Sequence, residues 1–188
     1  MSQKNKVKFN LKNVHFAKKT AAGVYGTPFA HKGAVSLSMD AQGDLNPFYA
    51  DGVKYFVGAA NNGYEGDLEV AMVTDEFRTQ ILNELTDDNG VMFEDGDAAT
   101  TEFAFGFQID GDQNGTYFWY YGCTATRPST EANTKEDTID PQTDSFTISC
   151  AGDDFEYGSE TKRLIRAKST DSAETATWFD AVVVPTVA

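Results

Sequence analysis

Glu102-Phe-Ala-Phe-Gly-Phe-Gln-Ile-Asp110 has the strongest strand pattern in this chain. From Phe103 to Ile109 every second residue is large and apolar, and this period of two is typical of a β-strand with one buried face. Residues 111–115 follow as a glycine-bounded hairpin turn, and Tyr117–Arg127 returns as a partner strand that is dense in aromatic side chains. The pattern therefore predicts an antiparallel sheet with this hairpin at its centre.

Shorter apolar alternations lie on both sides of the central hairpin, and turn-forming residues separate them. The flanking strands that they predict cover residues 4–12, 34–39, 53–57, 68–72, 91–93, 146–150, 163–168 and 182–184. So many short strands in one chain of 188 residues indicate a single β-rich domain over residues 1–188. The polar stretch 129–144 is predicted to be a long loop within that domain.

Residues 74–85 change from the spacing of a strand to that of a helix. Thr74 is a suitable N-cap, and the helical stripe behind it comprises Phe77, Ile81, Leu82 and Leu85. A second capping pattern, Asp171 with Glu174, indicates a short helical turn before Trp178. The predicted fold class is therefore mainly β: a β-sandwich or barrel-like domain with one flanking α-helix at about 74–85.

Charge is divided unevenly along the chain. The net charge is −14, yet the basic segment 1–39 holds seven lysines and no acidic residue, so the remainder carries −21. In the first strand Lys4, Lys6, Lys8 and Lys12 alternate with apolar residues, which predicts one basic and one apolar face. A lysine-rich face suits a protected edge strand or an electrostatic contact between subunits. Solubility alone is the alternative explanation.

The sequence contains no motif that predicts catalysis or metal binding. Asp110-Gly-Asp-Gln-Asn-Gly115 matches the first half of a calcium-binding loop, but Tyr121 stands where the bidentate glutamate is required. His15 and His31 have no ligand partners at metal-site spacing. Nucleophile elbows and phosphate-binding glycine loops are absent from the sequence. We therefore expect no catalytic, metal or cofactor-binding residue and no enzyme activity.

The compartment in which the chain folds bears on its two cysteines. No run of eighteen apolar residues and no secretory signal is present, so neither a membrane span nor export is predicted. A reducing compartment favours buried thiols at Cys123 and Cys150, and a disulfide between them is the alternative.

Four blocks of the chain resemble the major tail proteins of siphophages that infect Gram-positive bacteria. They occur in the family's order through about residue 150: Lys4–His15, Pro47–Tyr55, Asn61–Glu69 with Phe77-Arg78 after it, and Cys123–Ser129 continuing to 135–143. The last 38 residues resemble the family less. No appended immunoglobulin-like domain is expected.

The resemblance implies the phage tail tube fold, in which hexameric rings enclose an inner β-barrel and stack head to tail into a tube that conducts DNA. It places the chain in the virion, after assembly in the host cytoplasm. The implied partners are other copies of the chain, the tape measure protein, the tail terminator and distal tail proteins, and double-stranded DNA in passage, with no membrane. Two other interpretations stay open: another phage structural part, such as a head–tail connector or decoration protein, and the tube of a tail-like bacteriocin.

Two sets of residues are candidates for roles in such a tube. Interface candidates are Lys4, Lys6, Lys8, Lys12, Phe48 and Tyr49. An acidic lumen would repel phosphate and let DNA slide, and its candidates are Asp87, Asp88, Glu94, Asp95, Asp97, Asp110 and Asp112.

Overall fold

The computed structural model describes residues 5–130, 132–134 and 141–186, with only the backbone of Leu45, Asn46 and Ala59. Lys4 and part of the predicted loop 129–144 therefore lie outside the described residues. The described chain contains sixteen strands and two short helices. In chain order they are β1 (Lys8–Ala21), β2 (Val24–Tyr25), β3 (Phe29–His31), β4 (Ala34–Leu37), β5 (Asp40–Gln42), β6 (Leu45–Ala50), β7 (Val53–Ala59), β8 (Gly63–Val70), α1 (Asp75–Gln80), β9 (Leu85–Thr86), β10 (Met92–Phe93), β11 (Phe103–Gly111), β12 (Thr116–Ala125), β13 (Asp144–Cys150), β14 (Asp153–Tyr157), β15 (Glu160–Leu164), β16 (Arg166–Ser169) and α2 (Ser172–Thr175).

Ten of the described strands form one antiparallel sheet around the β11–β12 hairpin that the sequence predicted. Its order is β2-β1-β11-β12-β13-β8-β4, with β3 beside β1, β5 beside β8 and β16 beside β12. The described sheet is open, and it curls until β4 approaches β1 without a hydrogen-bonded ladder between them. Three further pairs, β6–β7, β9–β10 and β14–β15, lie outside it. The mainly β, sandwich-like class is confirmed, and a closed barrel is not formed by the described strands.

Both faces of β11 and β12 are buried, which explains the dense aromatic run from Tyr117 to Tyr121. On the inside of the curl, Phe103 and Phe105 pack with Phe16 of β1 and with Phe77 of α1. On the other face, a second cluster is covered by β14 and the segment after α2, and its buried members are Ala17, Ala104, Trp119, Tyr121, Phe155 and Trp178. The sheet is therefore the middle layer between two apolar clusters.

A β-bulge in β12 determines on which face of the sheet the side chains after the bulge lie. Phe105 pairs with Tyr120 but Phe103 pairs with Cys123, so β12 carries one extra residue between those pairs. Gly122 sits in this bulge at φ +55, and a side chain there would collide with the carbonyl of Gly152. The bulge returns Cys123 to the inner cluster, where it is fully buried.

Helix α1 is shorter than predicted. Thr74 caps it as expected by accepting a hydrogen bond from the Phe77 amide, but the helix ends at Gln80. Asn83 then takes a left-handed conformation, φ +57, with its side-chain amide donating to Ala99 O at 2.7 Å and Thr101 Oγ1 at 3.0 Å. The prediction that Leu85 lies on the helical stripe is wrong, because Leu85 belongs to β9 and is exposed.

The first strand departs from the predicted alternation. Two asparagines, Asn10 at φ +58 and Asn13 at φ +53, coincide with register shifts in β1. Val7 and Phe9 are consequently 58% and 54% exposed, so the predicted apolar face is not buried in the single chain. The prediction of a last strand at 182–184 is also wrong: those residues form no strand, and Val183 O accepts a hydrogen bond from the Tyr121 hydroxyl at 2.6 Å.

The two cysteines face each other across β12 and β13. They are directly paired in the ladder, with Cα atoms 3.9 Å apart, and the structure joins them in a disulfide. The expectation of two separate buried thiols is thereby corrected. The sequence could not decide this point, because only the strand register brings residues 27 apart into contact.

Candidate assembly surfaces

The β6–β7 pair projects from the body as a ribbon, here called the aromatic arm (residues 45–59). It continues the β5–β8 ladder, since the Asn62 amide donates to Gln42 O at 2.8 Å and the Ala60 amide to Asp44 O at 3.2 Å. Its turn has positive φ at Asp51 and Gly52, the conformation that suits a tight two-residue hairpin. The seven residues of β7 make the arm roughly 20 Å long.

Aromatic side chains of the arm are exposed to a degree unusual for their size. The exposed fractions are 60% for Phe48, 62% for Tyr49, 74% for Tyr55 and 65% for Phe56. Phe48 faces Phe56 across the ribbon, and a register shift follows directly, so Tyr49 faces Lys54. Phe48 and Tyr49 were predicted as interface residues from the sequence, whereas Tyr55 and Phe56 were missed.

An acidic sheet face, here called the carboxylate face, lies on the outside of β8. Glu65, Asp67 and Glu69 alternate with the buried side of that strand. Hydroxyl residues stand opposite them on both neighbouring strands, namely Ser36, Ser145, Thr147 and Ser149. Glu69 accepts hydrogen bonds from Thr143 and Ser36, both at 2.8 Å, and these lower the pKa of its carboxyl group. The alternation Glu-x-Asp-x-Glu is visible in the sequence, but the sequence does not show that no described residue covers Glu65 and Asp67, which are exposed.

The N-terminal segment clamps the β11–β12 turn. The Asn5 side chain accepts from the amides of Gln113 and Asn114 at 3.0 and 2.9 Å. In return, Asp112 Oδ1 accepts from the Lys6 amide at 2.7 Å and the Val7 amide at 3.3 Å, and these bonds lower the pKa of Asp112. Residues of the N-terminal segment therefore form hydrogen bonds with the turn that matches the first half of a calcium-binding loop. No three His, Cys, Asp or Glu residues in the described part gather as a possible metal site.

A basic cleft of about 370 Å³ opens beside this clamp. Its cations are Lys6, Lys8, Arg166 and Lys168, and its apolar wall comprises Val7, Ile109 and Phe118. Lys6 and Lys8 are predicted interface residues, and the cleft adds Arg166 and Lys168, which the sequence analysis did not name because β16 lies far from the N-terminus in sequence. The predicted interface residue Lys12 lies apart from the cleft and forms an ion pair with Asp110 at 2.8 Å.

The predicted lumen residues fall into two separate groups. Asp110 and Asp112 lie at the β11–β12 turn, next to the basic cleft. The other five, Asp87, Asp88, Glu94, Asp95 and Asp97, lie in residues 84–98, here called the acidic end, which contains the β9–β10 pair. Arg127 holds this segment through Glu94 Oε1 at 2.9 Å and the carbonyls of Asp95 and Ala98, both at 3.2 Å.

One buried polar cluster, centred on Asp153, stabilises the fold through hydrogen bonds and an ion pair. Asp153 accepts from the Tyr25 hydroxyl at 2.7 Å and the Gly23 amide at 3.0 Å, and it pairs with Lys19 at 3.0 Å. Burial alone would raise the pKa of Asp153, but these hydrogen bonds outweigh burial and the pKa is lowered. Lys19 also reaches Glu102 at 2.6 Å. Since both oxygens of Asp153 are engaged within the chain, the cluster ties β1, β2 and β14 together.

No family model and no curated protein sequence matches the chain. Among solved structures, a chain from the six-fold symmetrised cryo-EM structure of the anti-feeding prophage baseplate is similar, with 11% identity and a TM-score of 0.47. The match covers 89% of this chain and 97% of that one. A likeness of this degree identifies neither the family nor the function. Within the described residues, no helix is long and apolar enough to span a membrane.

Proposed function

We propose that the chain is the tube subunit of a long-tailed phage, a structural protein whose hexameric rings stack into a hollow tube for DNA. The observation that carries the proposal is the aromatic arm, with four large aromatic side chains more than half exposed. Exposed apolar surface of this size is typical of a contact with another macromolecule. The tail-protein-like block Pro47–Tyr55 lies within the arm, and this block connects the exposed surface to the proposed family.

Burial of the arm's aromatic side chains against a partner is more favourable than their exposure to water. A two-stranded ribbon is marginally stable by itself. Covering its four aromatic side chains removes several hundred Å² of apolar surface from water and contributes on the order of 10 kcal/mol before the cost of association. We infer that a neighbouring copy covers the arm in the assembled tube.

Free sheet edges supply a second reason to expect assembly. The half of β1 from Lys8 to Asn13 pairs with β11 on one side, and no described strand pairs with its other side. At the far end of the sheet, β4 and β5 have no outer partner among the described strands. Closing such edges against neighbours in a ring removes the unpaired backbone groups that otherwise promote aggregation.

The carboxylate face is the surface that fits the lumen best. It presents carboxylates and hydroxyls, and no lysine or arginine stands among the residues paired on it. Such a surface repels phosphate and offers DNA no cation to bind, so a duplex slides past it. We therefore propose Glu65, Asp67 and Glu69, which the sequence analysis did not name, as lumen residues.

The proposed role is structural, without catalysis, in the virion after assembly in the host cytoplasm. The tape measure, terminator and distal tail proteins are its proposed partners by family resemblance. A connector or decoration protein remains the second candidate, and a bacteriocin tube would use the same surfaces.

Negative-stain electron microscopy of the purified chain tests the proposal. Long hollow tubes of constant width are expected at high protein concentration. Closed single rings would favour a connector. Protein that stays monomeric at every concentration would contradict the proposal.

A further inference from the structure

The basic cleft and the acidic end lie at opposite ends of the same two strands. The cleft contains Ile109, near the end of β11, and Thr116, the first residue of β12. The acidic end precedes Phe103, the first residue of β11, and is held by Arg127, just after β12. The nine residues of β11 separate the two surfaces by roughly 27 Å. The subunit therefore carries opposite charge at its two ends.

The basic cleft keeps its positive charge despite the carboxylates beside it. Asp110 is paired with Lys12, and Asp112 accepts hydrogen bonds from the amides of Lys6 and Val7, so one unpaired carboxylate stands beside the four cations of the cleft. Among the described residues, no carboxylate forms an ion pair with any of the four cations that line the cleft. Those cations, Lys6, Lys8, Arg166 and Lys168, are all exposed.

Aromatic rings orient two of the cations in the cleft. The Arg166 guanidinium lies 4.9 Å from the ring centre of Tyr64, and Nη1 donates to the Tyr120 hydroxyl at 3.4 Å. Lys168 Nζ lies 5.9 Å from the ring centre of Phe118. The cleft thus combines four exposed cations, two of them next to aromatic rings, with an apolar wall, and it fits a partner that is both acidic and apolar.

The acidic end of the chain has this combination of properties. Its exposed apolar residues are Leu85 at 60%, Val91 at 49% and Phe93 at 52%. Asp88 and Asp97 are exposed beside them and form no ion pair with any described residue. The nearby cations are already engaged, since Arg78 pairs with Glu84 and Arg127 with Glu94. The acidic end therefore presents exposed apolar side chains next to two carboxylates, Asp88 and Asp97, that have no ion-pair partner among the described residues.

We propose that the acidic end of one copy seats in the basic cleft of the next copy along the tube. This inference rests on the proposed tube function and specifies the contact between stacked subunits. Two different surfaces at opposite ends of one subunit make a heterologous contact, which repeats without closing. It assigns Asp88 and Asp97 to the stacking contact rather than to the lumen.

The contact also fixes the polarity of the stack. Two basic clefts repel each other, as do two acidic ends, so copies add in one direction only. Salt screens such a contact, so tube growth weakens as ionic strength rises.

Reciprocal charge reversal tests the inference. The variant K8E/K168E makes the cleft acidic, and D88K/D97K makes the acidic end basic. These four side chains are exposed, and they form no hydrogen bond or ion pair with any residue of the described ranges. Each variant alone is expected to raise the protein concentration needed for tubes at least tenfold. An equimolar mixture is expected to restore tubes, because each reversed surface then meets a complementary one.

Two controls separate this inference from the proposed function and from misfolding. The variant K18E/K162E changes the net charge as K8E/K168E does, but outside the cleft, and it should assemble like the wild type. The chain K8E/K168E/D88K/D97K should assemble unaided.

If the wild type forms tubes and both reversed variants do so equally well, the stacking contact is wrong and the tube function stands. Failure of both the mixture and the fourfold variant, with each chain folded by circular dichroism, would also overturn the contact. A wild type without tubes would overturn the tube function itself.

Discussion

Lys12 Nζ lies 2.8 Å from Asp110 Oδ1, and this ion pair joins β1 to β11 within one subunit. Asn10 Nδ2 donates to the other carboxylate oxygen of Asp110 at 2.8 Å. A lysine of the basic segment is thus bound to a carboxylate of the acidic remainder. Part of the charge division along the sequence is therefore neutralised inside the subunit, whereas Lys6 and Lys8 of the basic segment lie unpaired with any described carboxylate in the basic cleft.

The first prediction separates Lys12 from Lys8. Lys12→Ala should lower the free energy of unfolding by at most about 1 kcal/mol, as expected for a partly exposed pair, and it should weaken tube formation much less than a charge reversal inside the cleft does. Lys8→Glu should leave unfolding unchanged and weaken tube formation. Urea denaturation and quantitative electron microscopy check both variants, and a Lys12→Ala chain that cannot form tubes would contradict the assignment.

The second prediction concerns the buried polar cluster around Asp153. Asp153→Ala leaves Lys19 without one of its two carboxylates and removes the acceptor for the Tyr25 hydroxyl. We expect a loss of about 3 kcal/mol in the free energy of unfolding, which is typical of a broken buried pair. Glu160→Ala, at an exposed ion pair with Lys162, is the matched control and should change stability by less than about 1 kcal/mol.

Acid should weaken the hydrogen bonds and the ion pair of Asp153 as well. Because the pKa of Asp153 is lower in the folded chain than in the unfolded chain, its contribution is present at neutral pH. That contribution is lost as the pH falls through the ordinary range of an aspartate and below it. Unfolding free energies measured between neutral and acid pH should therefore decline more steeply for the wild type than for Asp153→Ala. Parallel curves would contradict this role of Asp153.

The third prediction is that the aromatic arm serves assembly rather than folding. Phe48→Ser and Tyr55→Ser remove exposed aromatic side chains, so the melting temperature of the monomer should hardly change. Tube formation should fail, because the surface that a neighbour covers has lost its apolar area. Phe105→Ser, in the buried core, is the contrasting variant and should unfold the chain. Tubes from the arm variants with wild-type yield would refute the arm contact.

The fourth prediction tests the carboxylate face as the lumen. Replacing Glu65 and Asp67 with lysine should permit tubes to form but place cations along the bore. A short fluorescent DNA duplex should then stay with the tubes at low salt and be released as salt rises. Wild-type tubes should not retain it. If the lysine tubes exclude the duplex as the wild type does, this face lies elsewhere.

The sequence predicts the central hairpin well because residues that are close together in the chain determine it. Alternating phenylalanines from Phe103 to Phe107 and the glycine-bounded turn after them leave few alternatives to a hairpin. The end of α1 and the bulges of β1 depend on distant partners instead: Asn83 on Ala99 and Thr101, and Asn13 on Gln108 at 2.8 Å. Periodicity carries no information about such partners.

The surfaces were predictable only in part, for a related reason. Alternation shows that one face of a strand is apolar, but not whether its own chain or a neighbour covers it. Val7 and Phe9 fit a buried face in sequence and are exposed in the subunit. The basic cleft joins residues from both ends of the chain, such as Lys8 and Lys168, and they are brought together by three successive pairings, β1–β11, β11–β12 and β12–β16.

A cryo-EM map of assemblies grown from the purified chain tests the tube function most directly. We expect stacked six-fold rings, with the aromatic arm buried against a neighbouring copy and the carboxylate face lining a bore wide enough for a DNA duplex. A map in which the arm stays in solvent, or in which the bore is lined by lysine and arginine, would contradict it.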